Sequence, residues 1–118
     1  MASTVAIVAD HRGVARPKVV GDEYVVNATV NITSYPTGGE TVNAADLGLS
    51  TITAVTLCGA EQNIGNTGFI YALNISTAGE YASASSFTVV LTNLDGTNAQ
   101  ATNTTDVGMI RVRVWGLI

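Results

Sequence analysis

Charge is scarce in this chain. Asp, Glu, Lys and Arg make up 12% of 118 residues, about half the usual share, so Thr, Ser, Asn and Gly must cover much of the surface. A surface of that kind packs closely against neighbours. Cysteine is nearly absent: the single Cys58 excludes an internal disulfide framework, and within ITAVTLCG its thiol is expected to be a small buried hydrophobe rather than a nucleophile. Aromatic residues account for only 6%, which points to a thin core built largely from Ala and Val. No apolar run approaches the length of about eighteen residues that a membrane helix needs. The opening MASTVAIVADHRG lacks the charged and apolar regions of a secretory leader. The expectation is a protein made and kept in a cytoplasm until something carries it out, with no membrane contact.

Catalytic chemistry is equally thin. There is one histidine, His11, and no serine lies in a nucleophile elbow from which a triad would run through it. Carboxylates are scattered singly or in adjacent pairs. Zinc-ligand spacing is missing, and the stretch from Asp95 to Asp106 lacks the alternating acidic ligands of a calcium loop. Gly38-Gly39 has the setting of a turn rather than of a phosphate cradle. The reading is a non-enzyme with no cofactor and no metal. A formal net charge of −4 argues against nucleic acid as a partner, because displacing phosphate counterions requires a basic face. Sequons begin at Asn27, Asn31, Asn74 and Asn103, but three fall in strand-like segments, so glycosylation is the weaker reading.

What is present is a two-residue rhythm. Tyr24, Val26, Ala28, Val30 and Ile32 alternate with polar or smaller partners through residue 33, as one face of a strand requires. Residues 51–59 form a β-branched run bounded by glycine. Phe69, Tyr71, Leu73 and Ile75 share a face, as do Phe87, Val89 and Leu91, and finally Ile110, Val112 and Val114. The spacing predicts an all-β fold, an antiparallel β-sandwich or jelly-roll-like module. One short helical turn is expected in NAADLGL, with Asn43 capping it, Gly48 ending it, and Leu47 and Leu49 tucked into the core edge. SYPTGGE reads as the corner before it, and residues 93–107 as an exposed loop. Residues 21–118 are assigned to a single sandwich domain, and residues 1–20 to an N-terminal arm or edge segment.

Two groups of residues are candidate contact sites. Arg12, Arg16 and Lys18 make the leading segment basic in an acidic protein. Arg111, Arg113 and Trp115 lie on the face opposite Ile110, Val112 and Val114, and Arg and Trp are favoured interface anchors. The competing reading folds Trp115 back onto a second sheet and makes the arginines solvated edge charges.

SYPTGGE, followed by TVNAADLGLSTITAV and ending on IRVRVWG, resembles small tailed-bacteriophage virion proteins of the capsid-decoration or minor-structural kind. The resemblance covers residues 24–57 and 108–116. It implies a β-sandwich assembling in symmetric copies on a particle, with no catalytic residue to carry over. The implied function is that of a decoration, or cement, protein that stabilises the phage head by bridging shell subunits. Its implied partners are the major capsid protein or other virion subunits, and further copies of itself, a trimer being favoured. A tail, baseplate or fibre component binding a host-surface glycan is the alternative. A cellular carbohydrate-binding sandwich comes after that, and an enzyme last.

Overall fold

The structure is a computed structural model that describes residues 3–61, 69–75, 84–93 and 106–118. The expectations for residues 62–68 and 94–105, including the sequon at Asn103, fall outside these residues; at the described ends of the expected 93–107 loop, Asn93 closes a strand and Val107 is fully buried rather than exposed. The described strands form two antiparallel sheets packed face to face, with one 3-10 turn and no α-helix among them. This is the all-β sandwich that the alternation predicts.

The larger sheet is built on β3 (Glu23–Ile32) and β8 (Gly108–Leu117), which pair from Tyr24↔Gly116 to Ile32↔Gly108. Beyond β8 lies β5 (Thr51–Glu61). On the other side of β3 lie β1 (Ser3–Ile7) and β2 (Lys18–Val20), paired respectively with residues 28–32 and 23–25 of that strand. Both run antiparallel to β3, so together they make one edge interrupted by residues 8–17. The smaller sheet has the order β4 (Glu40–Asn43), β7 (Ser86–Asn93), β6 (Phe69–Asn74). Ile52 N–H donates to Ala84 O at 2.7 Å and joins the two sheets at one corner.

Period-two burial puts the expected residues inside. Val26, Ala28, Val30 and Ile32 of β3, Ile110, Val112 and Val114 of β8, and Phe87, Val89 and Leu91 of β7 are all buried in a common cluster. Tyr24, Tyr71, Leu73 and Ile75 pack half-buried against it. Burying side chains of this size stabilises by about 1.5–3 kcal/mol each, which is why β-branched residues on one face suffice where aromatics are few.

The corner at residues 34–40 does more than turn the chain. Gly39 N–H donates to Pro36 O at 3.0 Å, closing a β-turn in which Gly39 has φ +105°. A Cβ at Gly39 would lie 2.5 Å from Thr88 Cγ2 and 2.9 Å from Val89 O, so both the backbone angle and the space require glycine. Tyr35 sends its ring fully into the core, and its phenol oxygen accepts from Leu91 N–H at 3.2 Å. Burial pushes that phenol's ionisation upward, and the Leu91 contact works in the opposite direction.

The helical turn is a 3-10 turn (Ala44–Leu47), and Gly48 ends it at φ 75°. Leu47 and Leu49 are buried as expected. The cap differs from expectation. Asn43 stands at the N-cap position with no side-chain hydrogen bond to the turn, and Ala44 N–H instead donates to Ser85 O at 2.8 Å. Ala44 N–H, the first of the turn's donors without a partner inside it, is thus met by the backbone just before β7.

Cys58 is a second correction, because it is exposed rather than buried. The β5–β8 register steps from Leu57↔Val112 to Gly59↔Arg111, so Cys58 is the extra residue of a β-bulge on an edge strand. A bulge breaks the alternation on which the buried expectation rested.

Candidate functional site

β8 is an interior strand of the larger sheet, flanked by β3 and β5. Its inward residues fill the core, so Arg111, Arg113 and Trp115 must face away from it. Trp115 therefore does not fold onto the second sheet, and the arginines are not edge charges. Their cross-strand neighbours are short. Arg111 lies between Thr29 and Gly59, Arg113 between Asn27 and Thr56, and Trp115 between Val25 and Ala54. Side chains directly opposite one another share a face at about 5 Å. Three long side chains thus rise in a row from a floor of small ones, forming a ridge along the middle of the sheet. Arg113 Nε donates to Asn27 Oδ1 at 2.9 Å, which orients the guanidinium while leaving it exposed.

The leading segment is brought to the same face. Val8 N–H donates to Asn27 O at 2.8 Å, after which residues 8–17 leave the sheet edge as a loop that returns at Lys18. Asp10 organises this loop. Its carboxylate accepts from Arg12 N–H at 2.8 Å and Val14 N–H at 3.0 Å, and it pairs with the Lys18 ammonium. Gly13 N–H closes the turn onto Asp10 O at 2.9 Å. The Lys18 hydrogen bond, followed by that from Val14 N–H, holds the Asp10 carboxyl down at about 2.

Of the sequence-predicted contact residues, Arg16, Lys18 and Arg111 line one cleft of about 300 Å³, together with His11, Asn27 and Asp10. Arg113 adjoins it through Asn27, and Trp115 stands on the same face, across Val25 from Lys18. Arg12 sits exposed in the loop turn and does not line the cleft. All five Lys and Arg residues of the chain thus lie on β2, β8 or the loop 8–17. Asn27 and Asp10 are participants that the sequence reading passed over. The turn signal was there in Asp10-x-x-Gly13, where an aspartate at the first position and a glycine at the fourth favour a β-turn.

The opposite outer face differs in kind. On the smaller sheet, Thr41, Asn43, Ala72, Asn74, Thr88 and Val90 point away from the core, and no charged residue stands among the described outward positions. Among the described residues there is no grouping of three His, Cys, Asp or Glu able to hold a metal ion, and no helix long and apolar enough to cross a membrane. Comparison with known proteins gave no match to a family model, a curated protein or a solved structure.

Proposed function

We propose that this chain is a non-enzymatic virion structural protein, a capsid decoration or cement protein that attaches through the outer face of its larger sheet and bridges shell subunits. The observation that carries the reading is the two-faced sandwich: four of the five cations of an acidic chain, Arg16, Lys18, Arg111 and Arg113, are gathered on or beside one outer face, around the ridge that Trp115 completes. Arginine and tryptophan provide large contact area with directed polar contacts, from a strand whose backbone is already fixed in the sheet. Thr- and Asn-rich surface elsewhere meets neighbouring copies with little charge to desolvate. Symmetric repetition, with a trimer as the favoured unit, turns modest single contacts into durable attachment. A module that binds assembled shell in preference to free subunits stabilises the shell by mass action.

The test is re-addition of purified protein to phage heads assembled without it, read by co-sedimentation and by resistance of the heads to heat. Wild-type protein is expected to bind and to raise the temperature of head disruption, while a double Arg111→Glu, Arg113→Glu variant binds poorly. Uptake by tails with none by heads would move the protein to the tail, baseplate or fibre reading. A glycan site there would have to rest on Trp115, the one aromatic on this outer face among the described residues.

A further inference from the structure

We infer that the cleft between the loop 8–17 and the outer face of the larger sheet is a receptor for carboxylate side chains of an acidic protein segment. The inference deepens the attachment reading and rests on it for the identity of the partner as a virion subunit. The charges in the cleft do not balance. Lys18 is matched by Asp10, whose remaining oxygen is already occupied by Arg12 and Val14 N–H groups. Arg16 and Arg111 line the same space, are exposed, and have no carboxylate partner among the described residues. Glu61, which lines a neighbouring cleft beside Arg111, forms no ion pair with it.

Hydrogen-bonding capacity points the same way. Asn27 Oδ1 is engaged by Arg113 Nε, so the donors of its amide remain available at the cleft wall, and His11 adds a ring nitrogen. The groups left over are therefore planar guanidinium forks and an amide N–H₂, donors suited to bidentate recognition of a carboxylate. About 300 Å³ accommodates one or two such side chains rather than a polymer backbone. The Asp10 turn fixes the loop before any ligand arrives, which reduces the ordering cost of binding.

The probe is an acetylated, amidated tri-glutamate peptide titrated into the ¹⁵N-labelled full chain at low salt, with inorganic phosphate and a short oligonucleotide as competing arms. Shift changes are expected at residues 8–18, Asn27 and Arg111. Arg16→Ala and Arg111→Ala are each expected to weaken peptide binding roughly tenfold, the value of a charge-assisted hydrogen bond, with thermal midpoints unchanged because both side chains are exposed. Absence of localised shifts, or tighter binding of phosphate or oligonucleotide than of peptide, overturns the inference. Failure of the two readings is separable. Peptide binding by a protein that no phage particle takes up keeps the cleft and removes the virion role, whereas particle attachment indifferent to both alanine variants removes the cleft alone.

Discussion

Gly116 shows how one residue sets the distance between two strands. It faces Ile52 across the β5–β8 ladder, and a Cβ built on it would lie 2.0 Å from Thr51 O. Backbone, unlike the tip of a side chain, has little room to yield. Gly116→Ala is expected to destabilise the fold by about 3 kcal/mol, measured by urea unfolding, with the loss appearing in the midpoint rather than the slope. Asp10 acts at the same scale through charge. Its carboxyl titrates near 2 instead of the ordinary 3.8, so the folded loop favours the charged form. What Asp10 contributes is then complete above about pH 4 and disappears as pH falls through about 2. Carboxyl ¹³C titration is expected to find that value, and Lys18→Gln to move it upward towards the ordinary one. An unchanged titration in the variant would mean that the backbone N–H groups alone set it.

At the level of elements, legibility followed how each strand is covered. β3 and β8 sit inside the sheet with one face on the core, so their alternation survives in the sequence as Val26, Ala28, Val30 and Ile110, Val112, Val114. Edge elements leave a weaker trace. The bulge at Cys58 shifts parity in the exposed half of β5, and Tyr35 belongs to a turn motif whose proline and glycines draw attention away from its ring. The leading segment was the least legible, because the pairing of β1 and β2 with successive parts of β3 is decided by a partner remote in sequence. Its arrangement carries a prediction. Val5 and Ile7 pack against the core from β1, whereas the loop 8–17 is largely exposed. Deleting residues 1–7 is expected to lower the thermal midpoint by roughly 10 °C or more. Replacing residues 11–16 by Gly and Ser is expected to leave it within about 5 °C, since these side chains are largely exposed and the Asp10–Lys18 pair lies outside the replaced stretch. Equal losses from both changes would make the loop part of the folding unit.

Taken as a whole, the molecule carries two kinds of surface on opposite sides of one core, and salt is the variable that tells apart the contacts proposed for them. The face bearing Arg16, Lys18, Arg111 and Arg113 offers charge. The face bearing Thr41, Asn43, Asn74 and Thr88 offers neutral side chains at its described outward positions. Screening shortens the reach of exposed charges from about 10 Å at 0.1 M salt to about 3 Å at 1 M, while leaving neutral contacts almost untouched. Attachment to an acidic partner through the first face is therefore expected to weaken steeply with added salt, and self-association through the second to persist or strengthen. Co-sedimentation with particles and light scattering of the free protein over the same salt series measure the two separately. Oligomers that dissociate in step with attachment would place both contacts on the cationic face, and the neutral face would then have no part in assembly.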